Sequence, residues 1–371
     1  MAVNGWTDEL LDRMRTVGDP LGDTAIAETY ELGQQEQVRQ ALLGFGRNSD
    51  AVPAGLPPAL QRYFEETAVL PPWADRALMD RGHELLGRYQ PLISSILLCG
   101  SLPLCYTCGN GAEVLVRSQR LTSGVFRRLA ETSQFVVDVL DNDGLGPSGR
   151  GLRSAQKIRL LHATMRYHVS QLGDWDAAKS GVPVNQEDLA GTLLTFSVLI
   201  PQGLARLGVD LLPEDRDAYF HIWRVVGHVL GVDEQLNPAK FGDGEALLDT
   251  IIRRQQRPSE AGRVLTKGVL DFIREVLPFP PGAGPTLIRH LIGDRSADVI
   301  AVPPADSLTK LGLSAGGLSN LGYAKAGDTL PPLAQLASQL SLLVFKEGLL
   351  LTNKGRRRQW QVPTGLTDAP A

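Results

Sequence analysis

The stretch 117–170 constrains the fold most, because it contains two amphipathic segments joined by a turn rich in Gly and Asp. In the first segment, apolar side chains recur at helical spacing over 125–139. In the second, they follow the i, i+3, i+4, i+7 rule over 158–172. The pattern therefore predicts two helices that each bury one face.

Each of these helices carries an ionisable group at its apolar face. Arg128 lies at the edge of the first stripe, and His162 lies within the second, with Arg159 and Arg166 on the neighbouring turns. A neutral imidazole in an apolar slot between helices is a suitable axial ligand for haem iron, and nearby arginines suit the haem propionates. The structural alternative is that His162 is a hydrogen-bonded core residue and that the arginines cap carboxylates or carbonyls.

Several blocks of the sequence carry a resemblance to a known family. The chain resembles the oxygenase family that contains latex clearing protein and the MpaB-type enzymes in RRLAET (127–132), RLLHATMR (159–166), GVPVNQEDLAGTLLTFS (181–197) and WRVVGHVLGV (223–232). The resemblance covers most of the chain, since GDPLGD (18–23) and LIRHLIGD (287–294) also look like family blocks.

The resemblance implies roles for individual residues. In latex clearing proteins an Arg-x-x-Lys-Thr group lies on one helix, and the proximal haem histidine follows 34 positions after the Arg; Arg128, Thr132 and His162 match these positions. Glu131 stands where that group has Lys, so a closed state with a lysine over the iron is not implied here. The nearest counterpart of the family's catalytic Glu is Glu113, one position out of register.

The function implied by the resemblance is that of a haem b-dependent oxygenase. Such an enzyme would use O2 to oxidise C=C bonds of an isoprenoid or other apolar substrate, and it would be a dioxygenase if it cleaves those bonds. Glu131 or Glu113 would be the base that removes an allylic proton. The structural alternative for both glutamates is a salt bridge to a nearby Arg. Two other functions remain open: a haem-dependent peroxidase or hydroxylase, and a non-catalytic helical protein that binds haem or a lipid.

His228 is the second candidate for the iron ligand, because it lies between Gly227 and Gly231, where a planar group can approach closely. A hydrogen bond to a neighbouring helix is the favoured alternative. His83 lies among charged residues and is predicted to be solvated.

The cysteines exclude a covalently attached haem. Cys105 and Cys108 have the C-x-x-C spacing, but Gly109 follows them where a c-type haem motif needs His, and no second Cys pair completes a zinc site. Buried, reduced thiols are the favoured interpretation, and any haem is then of the non-covalent b type.

The rest of the chain predicts an all-α fold. We expect a single globular multi-helix domain whose helical core is analogous to that of the globins. Asn185 followed by Asp188 looks like a helix N-cap, and Pro201 is predicted to kink the apolar helix that Asn185 opens. In that helix, Thr192, Thr195 and Ser197 are predicted to back-bond to the helix rather than to serve a pocket. There is no P-loop motif and no convincing alternation of strands and helices, which argues against nucleotide enzymes and serine hydrolases.

Length and charge set the remaining expectations. The chain has 371 residues, 43% of them hydrophobic, enough for one large core, and its net charge of −4 gives no basic surface for nucleic acid. We predict a helical haem-binding oxygenase domain at 1–351 and a flexible basic tail containing Pro and Gly at 352–371. The apolar run 91–106 is too short for a transmembrane segment, and the first twenty residues lack the apolar core of a signal peptide. We therefore expect a cytoplasmic protein, which argues against extracellular rubber as its substrate.

Overall fold

The computed structural model describes residues 5–119, 125–141, 143–276 and 282–306 of the chain. The predicted boundary at 351 and the tail at 352–371 lie outside these residues and remain predictions.

The described chain is built from helices joined by short loops. In chain order they are α1 Asp8–Met14, α2 Pro20–Glu31, α3 Gln35–Leu43, α4 Pro58–Glu66, α5 Arg76–Ile96, α6 Leu102–Tyr106, α7 Gly109–Gln119, α8 Val125–Leu140, α9 Gly151–Gln171, α10 Ala177–Ser180, α11 Gln186–Ser197, α12 Leu199–Arg206, α13 Pro213–Val229, α14 Phe241–Gln255, α15 Glu260–Val276, α16 Ala283–Ile292 and α17 Asp294–Val299. A π-helical turn, Leu97–Ser101, joins α5 to α6, and a 3-10 turn, Glu234–Leu236, follows α13.

The predicted all-α fold is confirmed. Within the residues that the structure describes there is no strand, and an isolated bridge between Cys108 and Gln256 is the β-type pairing found there. The two segments on which the fold prediction depends form α8 and α9, and residues 91–106 are helical as predicted.

Two local predictions about α11 are confirmed. Asn185 is its N-cap, with the side-chain oxygen accepting a hydrogen bond from the backbone N–H of Asp188. The apolar helix is interrupted at Val198, three residues before Pro201, where φ and ψ are −93° and −47° and α12 begins directly afterwards. Pro201 causes this interruption, because it has no N–H to donate to the carbonyl of Ser197 and the helical hydrogen bond between them is missing.

The segment formed by α11 and α12, Gln186–Arg206, is long and apolar enough to cross a membrane by length and composition, since 18 consecutive residues of it have a mean hydropathy of 1.2. In the folded chain, 78% of its most apolar 18-residue window is buried. An apolar helix at the centre of a helical protein has the same composition, and α11 packs against α13 and α14 in this way.

Helix α9 separates two hydrophobic clusters. The larger one is organised around α5 and α13, which pack along each other, and its largest fully buried side chain is Trp223. The smaller one is formed by α2, α3 and α4, which cover the outer face of α9 at Leu160 and Ala163. One face of α9 therefore contacts the peripheral helices while the other faces the centre.

The prediction that His83 is solvated is wrong. The residue is 7% exposed, because α5 packs along α13. The ring hydrogen-bonds the backbone of Val139, and burial lowers the pKa of His83.

Candidate functional site

A cavity of about 240 Å³ lies between α6, α7, α8, α9, α11, α13, α14 and α15. Its walls are mainly apolar, with side chains from almost all of these helices. They include Leu129, Phe135, Ile158, Leu161, Met165, Leu193, Phe196, Trp223, Leu230, Ile251 and Leu265. A cavity of this composition favours apolar ligands and strengthens electrostatic interactions at the few polar groups in its wall.

Helices α8 and α9 bring three of the predicted site residues to this cavity. Glu131 and Thr132 line it from α8, and His162 lines it from α9. The side chain of Arg128 lies outside the part of the chain that the structure describes. Residues 125–140 and 151–171 thus place an imidazole, a carboxylate and a hydroxyl on the wall of one apolar chamber.

The structure does not bring Arg159 and Arg166 to the cavity. Arg159 makes a two-point ion pair with Asp19, with Nε–Oδ2 and Nη2–Oδ1 distances of 2.6 and 2.7 Å. Arg166 pairs with Asp23, with an Nε–Oδ1 distance of 2.7 Å. At about 100° per residue, both arginines lie about 50° to one side of His162 on α9, which is the side that faces α2. Both arginines therefore pair with carboxylates, as the structural alternative to a role at the haem propionates predicted.

His228 also lies away from the cavity. Its side chain is 38% exposed, and its Nδ1 lies 3.0 Å from Oε1 of Glu234. On the same helix, Nε2 of His221 accepts a hydrogen bond of 2.9 Å from the backbone N–H of Asp75. Both histidines therefore hydrogen-bond a neighbouring segment, which was the favoured alternative for His228.

Glu113 differs from Glu131 in its surroundings. The cavity face of α7 carries Gly111, Val114 and Leu115, so Glu113 lies on the opposite side of that helix. Its Oε1 accepts a hydrogen bond of 2.9 Å from Nε of Arg117. The salt bridge that was the structural alternative is present for Glu113, and of these two glutamates Glu131 is the one that lines the cavity.

An acidic pair on α11, Glu187 and Asp188, lines the cavity and was not among the predicted site residues. The carboxylate of Glu187 is completely buried and accepts hydrogen bonds from Arg15, Arg254 and Gln255 at 2.9 to 3.1 Å.

The second carboxylate of this pair is also fully hydrogen-bonded. Oδ1 of Asp188 accepts from Arg15 at 3.2 Å, and Oδ2 accepts from the side-chain amide of Asn185 at 2.8 Å. Burial raises the pKa of Asp188 to about 6, against the opposing effect of Arg15. Two adjacent acidic residues in an otherwise apolar helix were the available signal, because buried carboxylates need cationic partners.

The cysteines are free thiols, as predicted. Cys105 and Cys108 line the cavity, and Sγ of Cys105 lies 2.9 Å from Oγ1 of Thr195. Burial raises the pKa of Cys105 to about 11 and raises that of Cys108 as well, so both are protonated at neutral pH.

The prediction that the hydroxyls of Thr192, Thr195 and Ser197 back-bond to the helix, rather than serve a pocket, is only partly right. Thr195 donates a hydrogen bond of 2.8 Å to the carbonyl of Thr192, as predicted. Thr192 and Thr195 both line the cavity, however, and within the described residues the buried hydroxyl of Ser197 has no hydrogen-bond partner.

The chain is similar to known proteins over the region that forms the cavity. The family described as "ER-bound oxygenase mpaB/B'/Rubber oxygenase, catalytic domain" matches residues 94–313. The rubber oxygenase of Streptomyces sp. (strain K30) is 26% identical over 364 residues, which cover 94% of this chain and 86% of that protein. The structure of latex clearing protein LCP in the closed state has a TM-score of 0.81 and 24% identity, covering 94% of this chain and 95% of that one.

Proposed function

The chain belongs to the family of ER-bound oxygenase mpaB/B' and rubber oxygenase catalytic domains, and we propose that it uses non-covalent haem b and O2 to oxidise C=C bonds of an isoprenoid or other apolar substrate. Membership in an oxygenase family counts against a protein that only binds a lipid. The observation that carries the proposal is the joint position of His162, Glu131 and Thr132 on the wall of one apolar cavity.

The residues around the cavity fit a haem better than a directly bound metal ion. Among the residues that the structure describes, no group of three or more His, Cys, Asp or Glu side chains could hold a metal ion. Iron here would therefore be carried by a cofactor, with the imidazole of His162 as its protein ligand. Cys105 is a poor competitor, because burial keeps its pKa near 11 and the thiolate is scarce.

The propionates of a haem need a cationic partner or water. Arg159 and Arg166 are already neutralised by Asp19 and Asp23. We therefore propose Arg128, which matches the family's arginine, for a propionate or for the distal side of the iron.

When bound, haem supplies the iron that activates dioxygen. In our proposal the chain's own residues do the rest. His162 holds the iron, the apolar walls orient the substrate and exclude water, and the carboxylate of Glu131 accepts the allylic proton. The hydroxyl of Thr132 is a hydrogen-bond donor next to that carboxylate on the same wall.

The test is to replace His162 by alanine and measure the Soret absorbance and the iron content of the purified protein. We expect loss of haem from His162→Ala, with haem retained by His228→Ala and His221→Ala, since neither of these histidines reaches the cavity. A full Soret band with unchanged iron in His162→Ala would remove this residue as the ligand. Product mass under O2, compared with dye oxidation by peroxide, separates an oxygenase from a peroxidase.

A further inference from the structure

Gly111 lies in the first turn of α7 on the face that lines the cavity, together with Val114 and Leu115 on the next turn. A Cβ atom placed on Gly111 would meet no heavy atom within 4 Å in the described part of the chain. The wall of the cavity is therefore open at this point for lack of a side chain.

Neither backbone conformation nor helix stability explains a glycine at position 111. Its backbone is not in the left-handed region, and glycine makes a helix less stable than alanine does. Close packing does not explain it either. Where a glycine is needed for packing, a Cβ would be crowded: one on Gly191 would lie 3.0 Å from Ile251, and one on Gly262 would lie 2.6 Å from the carbonyl of Tyr106. What glycine provides at position 111 is space in the cavity.

The chemistry of that space is apolar. Its neighbours on α7 are the aliphatic Val114 and Leu115, and the adjacent Cys108 is a neutral thiol because burial raises its pKa. We propose that Gly111 is a specificity-determining residue, which keeps this wall open for the bulky apolar part of the substrate. The inference rests on the proposed function and adds a size limit to it.

The experiment inserts side chains of increasing size with Gly111→Ala, Gly111→Leu and Gly111→Phe. Gly242 provides a matched control, because it is also in the first turn of its helix, a Cβ there also meets no described atom within 4 Å, and it does not line the cavity. Binding is measured by calorimetry on the haem-loaded protein. The ligands are linear isoprenoid alcohols of two and four units and their fully saturated counterparts.

For the four-unit chains we expect affinity to fall from Ala to Leu to Phe at position 111, by about tenfold or more for Phe, because an overfilled site must displace its neighbours. For the two-unit chains we expect a change of about twofold or less in Gly111→Phe, as estimated from the same steric argument. Gly242→Phe should bind all of them as the wild type does. Gly111→Ala should raise the melting temperature by about 1–2 °C, because alanine is the better helix former.

Equal losses for short and long chains, or no loss in Gly111→Phe, would overturn the proposal, as would a wild type that binds neither length. The saturated chains separate this inference from the proposed function. If they bind with the expected size dependence while the unsaturated chains are bound but not oxidised, the size limit at Gly111 stands and the proposed reaction fails.

Discussion

Replacing Glu187 by leucine tests how the acidic wall of the cavity is held. The carboxylate is completely buried and accepts hydrogen bonds from Arg15, Arg254 and Gln255. Leucine removes all three bonds and leaves two guanidinium groups short of a partner. Arg15 keeps Asp188 at 3.2 Å, and Arg254 keeps ion pairs with the exposed carboxylates of α1.

The size of the effect follows from burial. Removing one partner of a buried ion pair costs about 3–5 kcal/mol, and the partners that Arg15 and Arg254 keep place this case near 3 kcal/mol. At about 2.1 cal/mol/K per residue, a chain of 371 residues has an unfolding entropy of about 0.8 kcal/mol/K. The expected fall in melting temperature is therefore about 4 °C.

The assay is calorimetric unfolding of the Glu187→Leu variant at low and at high salt. Burial shields this cluster from ions, so the loss should be the same at both salt concentrations. Glu36→Gln is the control, because Glu36 is 60% exposed in its pair with Arg39 and should give no measurable change. A Glu187→Leu variant as stable as the wild type would refute the reasoning, since it would mean that the two arginines need no buried partner.

Three further predictions follow from single residues. Glu131→Gln should retain haem, measured by the Soret band, but lose about two to four powers of ten in O2 uptake, and equal turnover would remove Glu131 as the base. Burial lowers the pKa of Lys157 to about 8, below its unfolded value of 10.5. Because the unfolded chain then binds more protons, the free energy of unfolding should rise between pH 8 and 10.5, by up to about 3 kcal/mol, and urea titrations should show no such rise in Lys157→Met. With the pKa of Cys105 near 11, alkylation of this thiol at pH 8 should be about 100-fold slower in the native protein than in urea, and equal rates would contradict its burial.

Periodicity predicted α8 and α9 and the face of α9 that lines the cavity, but not that α2, α3 and α4 bury the other face of α9 at Leu160 and Ala163. The apolar stripe of α9 contains Ile158, Leu161 and Met165, and all three line the cavity with His162. A repeat of 3.6 residues fixes these directions locally, without knowledge of the packing. The N-cap at Asn185 was predictable for the same reason, since its partner is three residues away.

The choice of side-chain partners was not predictable, because it depends on which helices meet. Arg159 is paired with a carboxylate 140 positions away, and Glu187 with an arginine 172 positions away. His83 is surrounded by charged residues in sequence but is buried where α5 meets its neighbours. The choice between Glu113 and Glu131 was likewise open until the direction of α7 was known.

The ion pairs of α9 have a consequence for the candidate iron ligand. The hydrophobic effect is non-directional, whereas ion pairs and hydrogen bonds act in a fixed direction and so help to set the rotation of a helix about its axis. Arg159 and Arg166, which lie one turn before and one turn after His162, are both held by carboxylates at the start of α2. The close approach of this segment depends on Gly22, where a Cβ would lie 2.6 Å from Asp19 and 3.4 Å from Ala163. The stretches 18–23 and 159–166 are therefore joined by ion pairs. Although Arg159 and Arg166 do not reach the cavity, these pairs help to fix the direction in which the imidazole of His162 points into it.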